Sequence, residues 1–248
     1  VYPAVALLWL IYAYSLLAIT RRYFPVLDEK ASRYLFLALF FVFNSNMLNM
    51  DRALAKQYII AENYFEPCAF GAFLLLGVER FLAGRLLFAV HPTYIPAAGL
   101  LLGATAVLYL VQQRSLTRPL LAGLIFALVV GPLVYRHTQV FAATSDQAWQ
   151  QANHILSNVR IPHHTQLTHW LDSAALLQLA LMGLSIYLVR RTALFWILLA
   201  LYVPILGSIV WVSVAPSDWL SFTTPWRVSV VVQAIATCIL LAWFSVYV

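Results

Sequence analysis

Six stretches of this chain are each long and apolar enough to cross a lipid bilayer: residues 3–20, 93–111, 117–135, 173–189, 192–213 and 227–248. A helix needs about 20 mostly apolar residues to span the roughly 30 Å hydrocarbon core. In lipid every backbone N–H and C=O must be satisfied inside the spanning structure, so only helices and closed barrels are allowed. The sequence has none of the alternating ten-residue strands that a barrel requires. Two weaker segments add to the six. Residues 34–45 are short and run into a polar stretch, and 67–90 carry Glu79, Arg80 and Arg85. The expected fold is all-α: a polytopic transmembrane bundle of about 7–9 membrane segments with interfacial amphipathic helices, forming one domain over 1–248.

Composition narrows the function classes. Hydrophobic residues make up 63% and charged residues 10%, against about 45–50% and 25% in soluble domains. Little chain remains for a soluble domain. Because it opens on Val1 and both ends lie in apolar runs, the chain is expected to be a fragment of a longer one. Cys68 and Cys238 each sit in an apolar run without metal or redox spacing, and read as small buried hydrophobes. The net charge of +6 fits cytoplasmic loops of a membrane protein. No basic-aromatic stripe lies in a polar segment, which sets nucleic-acid binding aside.

Ten of the fifteen basic residues fall in four loops: Arg21, Arg22, Lys30 and Arg33; Arg80 and Arg85; Arg114 and Arg118; Arg190 and Arg191. All four prefer the cytoplasm, yet one crossing at 67–90 puts the first and last on opposite sides. An additional passage or broken helix near 86–93, or chain missing there, restores the parity. Residues 46–66, 136–172 and 214–226 then share the opposite, periplasm-like face.

Two of these external segments read as interfacial helices. In the first, Leu54, Tyr58, Ala61 and Phe65 share a helical face. In the second, Ala148, Ala152, Ile155 and Val159 do so, after Ser145 as an N-cap. The third carries Trp219 and Trp226 at the depth of an aromatic belt.

The stretch Asn158–Trp170, "NVRIPHHTQLTHW", concentrates the titratable groups. Pro162 should end the interfacial helix near Arg160. His163 and His164 are adjacent and do not share a helical face, and no HxxxH or HxxE spacing preforms a metal site with His169 or Asp172. No metal is expected there. An interfacial loop of hydrogen-bonded histidines and a role in binding or proton transfer both remain open. Thr224-Pro225-Trp226-Arg227 reads as an N-cap, Pro at N1 and the first turn of the last helix. A cation there opposes the helix dipole unless an anion sits between. Arg227 and Arg160, on the same expected face, are therefore candidates to clamp a lipid phosphate. Snorkelling to headgroups, or pairing with Asp172 or Asp218, accounts for them equally well. Glu79 beside Arg80 reads as a turn pair, and His91 before Pro92 as a packed or loop histidine.

"DRALAKQYIIAENYFEPCAFGAFLLL", "HPTYIPAAGLLL", "RIPHH" and "TPWRVS", in that order over about residues 45–235, are similar to an uncharacterised family of bacterial multi-pass membrane proteins. That family resembles the GT-C class of glycosyltransferases. The resemblance implies transfer of a sugar from a polyprenyl-phosphate donor at the non-cytoplasmic face of the bacterial inner membrane. An acidic residue in an early external loop would act as base or metal ligand. Here Asp51, Glu62 and Glu66 are the early external acids, with Asp51 best placed as base and equally suited to N-capping a helix. Arg160 and Arg227 would hold the phosphate, and His163 and His164 would position donor or acceptor. The chain departs from the class in lacking a long early external loop and in a short segment before HPTY. The competing expectation is a non-catalytic accessory subunit packed against other membrane proteins, which suits the 8 Trp, 13 Tyr and 15 Phe.

Overall fold

The computed structural model describes residues 2–43, 52–54, 57–58, 75–76, 78–79, 95–140, 142–223 and 225–247. The architecture is helical. Among the described residues nine helices exceed five residues: α1 (Tyr2–Tyr23), α2 (Lys30–Phe43), α3 (Ile95–Gln113), α4 (Thr117–Val140), α5 (Asp146–Ile155), α6 (Ser173–Leu188), α7 (Ala193–Val214), α8 (Asp218–Thr223) and α9 (Ser229–Tyr247). Three stretches have both the length and the composition of a membrane span: α4, α7 and the stretch Pro225–Tyr247 containing α9. Ser173–Leu188 and Leu102–Val111 are shorter apolar helices. The chain is thus a helical membrane protein; seven to nine crossings exceed what the described residues establish.

The last helix is the centre of the bundle. Of the apolar window in Pro225–Tyr247, 78% is buried, against 33% in α7 and 17% in α4. α9 packs against α1, α2, α6 and α7, while α3 lies between α7 and α4. Small and β-branched residues allow this close approach: Val230, Val231, Val232, Ala234, Ala236, Cys238 and Ala242 are all buried. Hydroxyls inside the helices return their protons to their own backbone. Ser15 donates to the Ile11 carbonyl at 2.6 Å, Thr237 to Gln233 at 2.9 Å and Ser245 to Leu241 at 2.8 Å. Around α9 the packing is aromatic where α1 meets α2: Tyr12 lies 6.4 Å from Phe40, which lies 6.1 Å from Phe36.

Three tertiary contacts fix what lies at the two ends. A hydrogen bond joins the Tyr23 hydroxyl to the Leu194 backbone, in the first turn of α7, where the N-cap Thr192 makes no side-chain cap bond. Arg21–Arg22 and Arg190–Arg191 therefore share one end of the bundle. At the start of α9, Ser229 Oγ accepts the Leu54 N–H at 3.2 Å, and Trp226 Nε1 donates to the His164 carbonyl at 2.8 Å. The described parts of 46–66, 136–172 and 214–226 thus gather around the opposite end, the grouping that the basic residues lead one to expect. The turn from α3 to α4 is closed by Arg114 at φ 50°, a left-handed residue of the kind that ends helices.

Several expectations change. The helical reading of the first external segment fails at 52–53 and 57–58, where Arg52–Ala53 pairs antiparallel with Gln57–Tyr58. Leu54, 1% exposed, is buried and gives its N–H to Ser229 rather than to a carbonyl four residues back, so tertiary contact overrides propensity. Trp226 is fully buried and belongs to the core, not to an aromatic belt; the Trp219 side chain lies outside the described residues. Also outside them are Asp51, Glu62, Glu66, Cys68, Arg80, Arg85, His91 and the 86–93 segment. Glu79 is described and half-buried.

Candidate functional site

The polar end is built on α5. Ser145 Oγ accepts the Ala148 N–H at 3.1 Å and Asp146 occupies the first turn, so both cap and dipole favour a start here. The helix then widens into a π turn over Leu156–Arg160, closed by Ile161 N–H to the Leu156 carbonyl at 3.1 Å. Such π turns recur at functional sites because the extra residue re-aims side chains. Ile161 leaves helical geometry at φ −131°, ψ 43°, and Pro162 opens a four-residue turn to Thr165. The break at Pro162 is where the sequence places it.

The apolar face of α5 points outward: Trp149, Ile155 and Val159 are 42%, 47% and 71% exposed, whereas Asn153 and Ser157 are buried. This orientation suits a helix whose outer surroundings are apolar. Its inner, polar face is tied to α8. Ser157 Oγ donates to the Asp218 carbonyl at 2.9 Å. Asn158 Nδ2 donates to Asp218 Oδ1 at 2.9 Å and to the His154 carbonyl at 3.1 Å, while its Oδ1 accepts from Gln166 Nε2 at 2.6 Å. His154 Nδ1 lies 3.0 Å from Asp218 Oδ2. The Asn158 hydrogen bond, aided by His154 and opposed by partial burial, holds the Asp218 carboxyl below its ordinary range. Thr165, fully buried, turns its hydroxyl to the carbonyls of Ser157 and Ile161, at 2.5 and 2.9 Å. The loop carrying Arg160, His163 and His164 is thus held from both sides, by α8 through Asn158 and by its own turn through Thr165 and Gln166.

The second wall is the start of the last helix. Pro225–Val228 forms a 3₁₀ turn leading into α9; Thr224, the expected N-cap, lies outside the described residues. Trp226 bonds the His164 carbonyl and packs against Trp170, with ring centroids 5.2 Å apart and planes inclined at 49°. Arg227, the next residue, is half-buried. The His163 and His164 rings lie 4.1 Å apart; His163 is exposed and His164 half-buried. Arg160 is exposed and has no charged partner among the described residues. Neither candidate carboxylate is bonded to Arg160. Asp172 caps α6 through the Ala175 N–H at 2.9 Å, and Asp218 is held by His154 and Asn158. His169 is exposed. Among the described residues no three His, Cys, Asp or Glu side chains lie close enough to hold a metal.

The structure therefore brings the Arg160–His164 loop to the Trp226–Arg227 turn, and leaves Asp51 outside the described residues. Sequence reading gave no role to His154, Asn158, Gln166 or Trp170. The four-residue spacing of His154 and Asn158, which places both on one helical face, was the available signal. The chain matches no family model, no curated protein and no solved structure.

Proposed function

We propose that this chain is a multi-pass protein of the bacterial inner membrane whose polar end binds the phosphate of a lipid. We propose further that it acts as a GT-C-like glycosyltransferase, moving a sugar from a polyprenyl-phosphate donor at the periplasmic face. The observation that carries the reading is the Trp226 Nε1 bond to the His164 carbonyl, which seats the RIPHH loop on the turn bearing Arg227. Two guanidinium groups on this end supply planar, forked donors suited to phosphate oxygens. His163 and His164 add donors that strengthen on protonation. With the phosphate held, an acceptor hydroxyl attacks the sugar's anomeric carbon, the phosphate-linked lipid departs with the bonding electrons, and Asp51 takes the hydroxyl proton. In the test, the purified chain in lipid nanodiscs is titrated with polyprenyl monophosphate and with uncharged polyprenol. Wild type is expected to prefer the phosphate, Arg160→Ala and Arg227→Ala to weaken it about tenfold each, and Asp51→Asn to abolish transfer but not binding. Equal affinity for phosphate and alcohol refutes the site.

A second reading, the accessory subunit, draws on a different surface. On α3 and α4, Gly99, Gly103, Gly123 and Gly131 each have no atom within 4 Å of where a Cβ would stand, among the described residues. Small residues four apart are how membrane helices let a neighbour approach. Lipid-phosphate binding without transfer, together with loss of a co-purifying membrane protein on Gly123→Leu, would favour it.

A further inference from the structure

The indole of Trp170 lies beside the loop–turn junction, 2% exposed and packed against Trp226. Trp226 uses its own N–H on the His164 carbonyl. The Trp170 Nε1–H has no acceptor among the described residues. An indole nitrogen can only donate, and a buried donor left unpaired is destabilising by roughly 1–3 kcal/mol. Trp170 is positioned by a short backbone turn, its N–H bonding the Leu167 carbonyl at 3.1 Å, just ahead of the Asp172 cap of α6. A phenylalanine would keep a ring against Trp226 without the unpaired donor, at the cost of some buried volume.

Resting on the lipid-phosphate reading above, we infer that Trp170 is a further ligand-binding residue of this site: its buried indole N–H donates to an oxygen of the phosphate-bearing head. The donor, the Trp226 ring against which it packs and the neighbouring His164–Trp226 contact make this a dry spot, so an oxygen that reaches it is desolvated and the hydrogen bond strong.

The test uses the full chain in nanodiscs, with polyprenyl monophosphate and inorganic phosphate as separate probes. Without ligand, Trp170→Phe is expected to melt within about 4 °C of wild type, because removing the unpaired buried donor offsets much of the cost of the lost ring volume. Its affinity for polyprenyl monophosphate is expected to fall about tenfold. The same loss with inorganic phosphate assigns the contact to the phosphate itself, and a loss confined to the lipid assigns it to the lipid-linked head. Unchanged affinity of Trp170→Phe for both probes overturns the inference while leaving the proposed function standing. A wild-type chain that binds neither probe overturns both. If Trp170→Phe does not fold, 3-benzothienylalanine at position 170 keeps the ring shape and replaces N–H by sulfur, and the same tenfold loss or its absence decides.

Discussion

Replacing Asn158 by alanine removes the side chain that joins three pieces of the polar end. Asn158 donates to Asp218 Oδ1 and to the His154 carbonyl, and accepts from Gln166. Each such bond is worth about 0.5–1.5 kcal/mol net. The low end applies, because the Asp218 side chain is 45% exposed and regains water when released. The expected loss is therefore about 1.5 kcal/mol, or a melting temperature lower by about 3–6 °C for a chain of this size. The same variant changes the pH dependence. Asn158 is the main cause of the lowered Asp218 carboxyl. A carboxyl with a depressed folded-state pKa contributes stability that is complete above its unfolded value and is lost as pH falls through the folded one. Wild type should thus lose part of its stability below about pH 4, and Asn158→Ala should show a shallower decline there. The assay is thermal melting in detergent between pH 3 and about 8, with Asn158→Ala, Gln166→Ala and the double variant. If Asn158→Ala melts within about 1 °C of wild type, or the two substitutions are additive, no coupled network links α8 to the loop.

Trp226→Phe, which keeps most of the buried ring but strands the His164 carbonyl, should lower stability by about 1–3 kcal/mol in chemical denaturation; a loss below about 0.3 kcal/mol would contradict the contact. Arg160→Ala should stay within about 0.5 kcal/mol of wild type in the same assay, since Arg160 is exposed, and lose only phosphate binding. Ser229→Ala, which removes the acceptor of the Leu54 N–H, should be less stable by about 1–2 kcal/mol and should open the pairing of 52–53 with 57–58 to faster amide hydrogen exchange. Single cysteines at Arg22 and Arg191 should react with an impermeant thiol reagent from the same side of sealed vesicles, and a cysteine at Val159 from the other.

The helices were legible because a span is a property of a contiguous run. The expected 117–135, 173–189, 192–213 and 227–248 correspond to Thr117–Val140, Ser173–Leu188, Ala193–Val214 and Ser229–Tyr247. Which of them forms the core was not legible from hydropathy, since lipid and protein interior favour the same apolar side chains. The distinguishing signal lay in α9's own polar and small residues, Ser229, Gln233, Thr237, Cys238 and Ser245; the less buried α4 instead carries exposed Leu120, Leu124 and Leu128. Trp226 could not be assigned by type either, because a tryptophan after a proline fits a headgroup belt and a core equally. The break at Pro162 was readable from the missing N–H of proline. The His154–Asn158–Asp218 network was not, because Asp218 lies about sixty residues from the other two and meets them only once α8 folds back on α5. Next to the pairing of 52–53 with 57–58, the Leu54 N–H goes to a hydroxyl supplied by Ser229, a distant contact that no local pattern records.

At the centre of the proposed function, the Arg160–His164 loop and the Trp226–Arg227 turn together receive a lipid phosphate. The most direct test is photo-crosslinking of the intact chain in nanodiscs with a polyprenyl phosphate bearing a diazirine on its first isoprene unit, mapped by peptide mass spectrometry. Crosslinks are expected in both 158–170 and 225–229, lost together on competition with unlabelled polyprenyl phosphate. Crosslinks confined to the exposed faces of α3 and α4, or unaffected by competition, would contradict it.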